Sequence, residues 1–284
     1  MISIFSGLLR KALNSAKRGQ TLYMHTSKPI RIAQVTDPHL GRSYGDKLLG
    51  VDADQSLRDV LADLSAHDLL IASGDISNDG SPESYRRFAD TIAEFGFSRY
   101  ACLPGNHDDH EVMARVMGPA VMNPVLVNDS WIFILLNSRV PGYEYGDLAD
   151  TELTFLDKTL ARHPNHHVMV FLHHQPVRVG SAWIDQYIVR SADRFFSIID
   201  KHKNVRGVAW GHVHQDFHTE RNGVHLFASP STCIQFKPNC DDFTLDTEMP
   251  GYRMFELHAD GQITTEVNRV SERDYKVDYS SHGY

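Results

Sequence analysis

The chain has 284 residues, 42% hydrophobic and 23% charged, with unexceptional glycine and proline content, which excludes collagen-like, coiled-coil and disordered chains and leaves room for one large layered domain. Its formal net charge of −8 argues against a nucleic-acid binder, which needs a basic face to neutralise phosphates. A small anionic substrate would therefore need metal ions or local cations inside the site.

Residues 1–27 read as a basic, poorly ordered extension. The first acidic residue is Asp37, whereas Arg10, Lys11, Lys17 and Arg18 are basic, and Ile4, Phe5, Leu8, Leu9 and Leu13 fall at the spacing of a surface-binding amphipathic helix. No apolar run reaches the length of a membrane span, and no secretory leader is recognisable. Cys102, Cys233 and Cys240 are too few for a disulfide framework. Together these features favour a cytoplasmic protein without stable membrane insertion.

From residue 28 to 284 the pattern is that of a single catalytic domain. Short apolar runs over 30–36, 68–73, 100–103, 131–137, 167–172 and 205–210 predict strands. Helix-periodic stretches lie between the first three of these and over 152–162 and 191–201. After Gly211 the helical period stops, and 217–220, 224–228, 252–257 and 263–267 predict strands joined by turns such as Asn222-Gly223 and Asp260-Gly261.

The chemistry-bearing residues follow these strands. Ligands gather at the carboxyl edge of open α/β sheets, and five polar clusters fall there in order. Asp37-Pro38-His39 follows the first strand and can aim a carboxylate and an imidazole at one ion. Gly74-Asp75 follows the second, the glycine allowing a sharp turn that lets two cations share the carboxylate. In Gly105-Asn106-His107-Asp108 an amide oxygen can ligate a hard ion while His107 stays free for proton transfer. His173-His174 ends the 167–172 strand, and alternation along a strand aims only one of the two inward, taken as His173. Gly211-His212-Val213-His214 places two imidazoles at i and i+2, on one side of extended backbone.

Taken in this order, the five clusters resemble the signature of calcineurin-like metallophosphoesterases. The resemblance implies an α/β (α+β) fold in which two packed mixed β-sheets are flanked by helices, a four-layer sandwich. It further implies two divalent ions, Asp37, His39, Asp75 and His214 holding one and Asp75, Asn106, His173 and His212 the other. His107 would be the unligated catalytic acid, with His39, Asp75, Asn106, His107 and His214 also meeting substrate. Protein Ser/Thr phosphatases of this superfamily carry an Asp and an Arg where this chain has Asn78 and Asp79, so the orienting partner of His107 is open, with Asp79 and Asp108 as candidates.

Longer stretches are similar to bacterial class III 3′,5′-cyclic AMP phosphodiesterases: Leu48-Leu49-Gly50-Val51, Gly74 through Asp79, and Ser229-Pro230-Ser231-Thr232-Cys233-Ile234-Gln235-Phe236-Lys237-Pro238. By this resemblance the substrate is a small-molecule cyclic nucleotide, 3′,5′-cyclic AMP, and the metals are Fe(II) or Mn(II). The alternative is another phosphodiester, such as a glycerophosphodiester or a 2′,3′-cyclic nucleotide, or a phosphomonoester. Residues 232–240 leave two readings open: a wall for the nucleotide base, with Phe236 as its stacking surface and Lys237 on the phosphate, or a structural loop whose phenylalanine belongs to the core.

Overall fold

The structure is a computed structural model that describes residues 22–24 and 28–283. Residues 4–13, whose spacing would suit an amphipathic helix, lie outside the described residues. Strand β1 (Leu22–Met24), within the stretch expected to stand apart as an extension, pairs in parallel with β7 (Val125–Asn128).

Two large sheets form the body. The five-stranded sheet has the order β14 (Ile263–Arg269), β13 (Gly251–Leu257), β2 (Ile30–Val35), β5 (Leu69–Ala72), β6 (Tyr100–Cys102). The seven-stranded sheet has the order β1, β7, β8 (Trp131–Leu135), β9 (His167–Phe171), β10 (Val205–Trp210), β12 (Val224–Ala228), β11 (Phe217–Arg221). A small ribbon, β3 (Lys47–Leu48) with β4 (Val51–Asp52), completes the strands. Strands β2, β5 and β6 are parallel, as are β8, β9, β10 and β12, so both sheets present several carboxyl ends along one edge.

Side-chain alternation shows how the sheets pack. Ile30 and Ile32, Leu69 and Ile71, Trp131, Phe133 and Leu135, and Met169 and Phe171 share one buried cluster with Phe227 and Phe255. Their strand neighbours Ala33, Val35, Leu70, Ala72, Ile132, Ile134, Val168 and Val170 join a second cluster with helix residues Leu57, Phe88, Leu156 and Phe195. A period of two with both sets buried means that each sheet is covered on both faces, by the other sheet and by helices. This is the expected four-layer sandwich.

The helices start where local chemistry allows. Asp52 caps α1 (Ala53–Asp63) by accepting from Gln55 N at 2.9 Å, and Ser81 caps α2 (Pro82–Glu94), which has proline in its first turn. Asp109 caps α3 (His110–Met117), and α4 (Asp150–Arg162) and α5 (Ala192–Ile199) follow later in the chain. The sequence pattern did not predict α3. It has eight residues and fully buries only Met113, too little apolar surface to register as a helical period.

Candidate metal centre

Both sheets deliver side chains to one edge. Asp37 and His39 follow β2, Asp75 follows β5, Asn106 and His107 follow β6, His173 follows β9, and His212 and His214 follow β10. The loops after β2 and β5 continue their parallel register: Asp37 N donates to Gly74 O, His39 N to Asp75 O and Leu40 N to Ile76 O, each at 3.0 Å. The sheet ladder thus fixes the first two clusters relative to each other.

Five of these residues occupy the left-handed backbone region. Asp37, His39, Asp75, His212 and His214 have φ between 47° and 63°, where a side chain is strained and which only surrounding structure can enforce. Glycines make the remaining room. A Cβ on Gly74 would strike the His173 ring, and one on Gly105 would lie 2.5 Å from Asp75 N and closer still to its carboxylate.

Ring orientation follows from acceptors that cannot donate. His173 Nδ1 donates to Ser73 O and His214 Nδ1 to Ile234 O, both at 2.9 Å, and His39 Nδ1 donates to Asn78 Oδ1 at 3.3 Å. The Nε2 lone pairs therefore turn inward. His39 Nε2 and His214 Nε2 are 3.4 Å apart, His214 Nε2 is 3.3 Å from Asp37 Oδ1, and His173 Nε2 is 3.2 Å from both Asp75 Oδ2 and Asn106 Oδ1. His212 Nε2 is buried with no hydrogen-bond partner. Two imidazole lone pairs facing each other beside buried carboxylates form a donor set for cations.

The groups Asp37–His39–His214, Asp37–Asp75–His173 and His39–Asp75–His107 each bring one ligand-type atom per residue within 4.8 Å of the others. An oxygen and nitrogen donor set of this kind fits a dinuclear metal site. Electrostatics agrees. Burial alone would raise Asp75, but the imidazoles of His173, His107 and His39 together outweigh it and hold the carboxyl well below its usual range. Burial pushes His39 down to about 3. It also depresses His212, beside His174 and His173. His173 rises to about 9 against its burial because the Asp75 carboxylate faces it.

Asp37, His39, Asp75, Asn106, His107, His173, His212 and His214 lie together, with differences from expectation in their surroundings. His107 Nδ1 donates to the backbone carbonyl of Asn78 at 3.2 Å, an acceptor that is neither of the two candidate carboxylates. Asp108 instead accepts from Gly105 N, Ser77 N and Ile76 N at 2.8, 2.9 and 3.2 Å and ties the second and third clusters together. Burial and the nearby Asp75 push its carboxyl up to about 6. His174, which strand alternation would turn away, is fully buried with its ring 4.7 Å from that of His212. β9 ends at Phe171, so alternation no longer governs residues 173 and 174.

Of the two readings of Phe236, the core one holds and the base-stacking one does not. Its side chain is 0% exposed and lies face to face with His214, leaving no surface for a ligand. Lys237 is exposed, with its backbone N bonded to Thr244 O. Asn106 and His107 are only half-buried and mark the open side of the centre, whereas Asp37, His39, Asp75, His173 and His214 are at most 1% exposed.

The calcineurin-like phosphoesterase family matches residues 30–216. The chain is 43% identical over 264 residues to the Vibrio vulnificus protein named 3′,5′-cyclic adenosine monophosphate phosphodiesterase CpdA, covering 90% of this chain and 95% of that one. It is 40% identical to the Escherichia coli protein of the same name, covering 93% and 98%. A Nostoc 3′,5′-cyclic-nucleotide phosphodiesterase is 39% identical, covering 87% and 95%. Among solved structures, a dimetal phosphatase from Danio rerio superposes over 86% of this chain and 100% of its own with a TM-score of 0.58 at 14% identity, a likeness of fold alone.

Proposed function

The chain belongs to the calcineurin-like phosphoesterase family, and we propose that it hydrolyses 3′,5′-cyclic AMP to 5′-AMP, lowering intracellular cyclic AMP. One observation carries this reading. Asp37, His39, Asp75, Asn106, His173, His212 and His214 converge with His107 beside them, in a chain that aligns over nearly its whole length with relatives named for that reaction.

In this reading Asp37, His39, Asp75 and His214 would hold one ion and Asp75, Asn106, His173 and His212 the other. The Asp37–His39–His214 group and the contacts of His173 with Asp75 and Asn106 support that division. The unpartnered His212 Nε2 supports a place for His212 on the second ion. Carboxylate, amide and imidazole donors without thiolate suit Fe(II) or Mn(II). Two such ions supply Lewis acidity toward phosphoryl oxygens and make water a nucleophile near neutral pH.

The chain's own residues do the rest. Asp75 accepts His107 N at 2.9 Å, which couples its carboxylate to the loop bearing the acid. His107 holds its Nδ1 proton on the Asn78 carbonyl, so Nε2 carries the mobile proton to the departing 3′ oxygen. Asn106 and His107 are the more exposed groups and meet the incoming phosphodiester, with His39, Asp75 and His214 behind them.

No helix among the described residues is long and apolar enough to cross a membrane. We assign the protein to the cytoplasm, and its free thiols Cys102, Cys233 and Cys240 suit a reducing compartment. Its partner is a small cyclic nucleotide rather than nucleic acid, in keeping with the net charge of −8.

The test is product analysis. Protein loaded with Fe(II) or Mn(II) should convert 3′,5′-cyclic AMP to 5′-AMP, and an Asp75→Ala variant should not. Turnover of bis(p-nitrophenyl) phosphate without any of cyclic AMP would keep the centre but assign it another diester.

A further inference from the structure

On the His174–His212 side of the centre stands an aromatic and cationic rim. The segment 139–148 leaves the end of β8 and lays Gly146 against His174, where a Cβ on Gly146 would meet His174 Cβ and Cγ at 2.5 Å. Glycine is what lets the backbone come so close. Gly146 N donates to Tyr187 O at 3.1 Å, and Arg190 N donates to Gly146 O at 2.9 Å, so this loop and the 184–190 segment are stitched together beside the metal-ligand residues. The Tyr187 ring stands edge-on to His212, with centroids 6.2 Å apart and planes at 86°.

Immediately before Gly146, Tyr145 lies under Arg190, whose guanidinium carbon is 3.3 Å from the ring centroid. The Tyr143 ring is 4.8 Å from that of Tyr145 and is 54% exposed. Arg190 is exposed, and among the described residues no carboxylate forms an ion pair with it, whereas Arg58, Arg87, Arg194 and Arg221 are each paired. A planar cation, unneutralised in an acidic chain and fixed on an aromatic ring one residue from the backbone that touches His174, is a platform rather than a surface accident.

We infer that Tyr145 and Arg190 form the base-binding subsite, on which the base of a nucleotide stacks while its phosphate sits at the metal-ligand residues. The inference rests on the proposed phosphodiesterase reading only in placing a phosphate there. Guanidinium and phenol planes accept the π-face of any base, so the platform strengthens binding of nucleotides generally and need not separate adenine from guanine.

Metal-loaded wild type, Tyr145→Ala, Arg190→Ala and Tyr145→Phe are compared in two ways. In the first, KM for cyclic AMP should rise about tenfold in both alanine variants with kcat changed less than about threefold, and Tyr145→Phe should stay near wild type. In the second, 5′-AMP and inorganic phosphate compete against bis(p-nitrophenyl) phosphate. The Ki of 5′-AMP should rise about tenfold in the alanine variants while that of phosphate moves less than about twofold. The second comparison does not require cyclic AMP to be turned over, so it separates failure of the subsite from failure of the proposed substrate. Unchanged Ki for 5′-AMP, equal weakening of both inhibitors, or a wild type that binds 5′-AMP no better than phosphate would each overturn the subsite.

Discussion

The rings of His214 and Phe236 lie face to face, centroids 4.1 Å apart and planes within 5° of parallel, both fully buried. Trp183 and Phe243 back Phe236 at 4.9 and 5.5 Å, and the Ile234 carbonyl takes the His214 Nδ1 proton. The imidazole is left one orientation, with Nε2 toward Asp37. Groups that aim a metal ligand typically change affinity by 10–100-fold when altered. Phe236→Leu should therefore weaken metal binding about tenfold in competition with a chelating dye, with kcat at saturating metal changed only a few-fold. Phe236→Ala should also open a cavity costing about 3–5 kcal/mol, visible as a lower Tm. Unaltered metal affinity in Phe236→Leu would reduce the stack to core packing.

Asn78 and Asp108 both border His107 but act differently, and their variants should separate. Asn78 offers His39 a side-chain oxygen and His107 a backbone carbonyl. Asn78→Ala should thus loosen His39 alone and weaken metal binding about tenfold, leaving the His107 acceptor in place. Asp108→Ala removes the acceptor of three buried N–H groups. Each buried donor left unpaired costs about 1–3 kcal/mol, so its thermal unfolding should fall by several degrees and its activity with it. The reverse ranking in Tm would contradict this division.

Gly105 tests the geometry of the Asp75 carboxylate. Its backbone is not in the left-handed region, so alanine there carries no conformational penalty, only a steric one: the new methyl would meet Asp75 N at 2.5 Å and Cγ at 2.7 Å. Backbone cannot yield as a side chain does, and Asp75 must move. Displacing a reacting group by about 1 Å can cost on the order of 10²-fold. Gly105→Ala should lose at least that much activity while keeping the far-ultraviolet circular dichroism of the wild type. Near-normal turnover would mean that Asp75 does not hold the position its contacts indicate.

Why the site was legible in the sequence while its surroundings were not is a matter of range. Asp37, His39, Asp75, Asn106, His173, His212 and His214 each follow an apolar strand, and a strand end aims its next residues at one edge whatever the rest of the fold does. All ten expected strands formed, because a run of four to seven β-prone residues is a local signal even where, as in β11 and β14, no residue is fully buried. β7 was missed although Asn128 closes a tight turn into β8 by accepting from Trp131 N at 2.7 Å, since four residues after a proline show no clear period. Contacts across the fold leave no such trace. The Asn78 carbonyl lies 29 residues from His107, and the Phe236 stack on His214 exists only because residues 229–236 run on past the end of β12, parallel to β10, until Phe236 N donates to His214 O at 3.3 Å. The sequence leaves Phe236 open between ligand and core because an aromatic near a site looks the same in sequence whether it faces solvent or a histidine.

His107 is the residue whose chemistry can be isolated by choice of leaving group. Its Nδ1 is committed to the Asn78 carbonyl and its ring stands edge-on to His39 at 4.9 Å, half-buried on the open side. A ribose 3′ oxygen leaves as a strongly basic alkoxide and needs a proton in the transition state, whereas p-nitrophenolate leaves as a stable anion and needs none. General acid catalysis contributes about 10²–10⁴-fold. His107→Gln should therefore lower kcat for cyclic AMP by about that factor and for bis(p-nitrophenyl) phosphate by less than about tenfold, with both metal ions still bound by elemental analysis. Equal losses on the two substrates would show that His107 stabilises charge on the phosphoryl group instead, since that contribution does not depend on which oxygen departs.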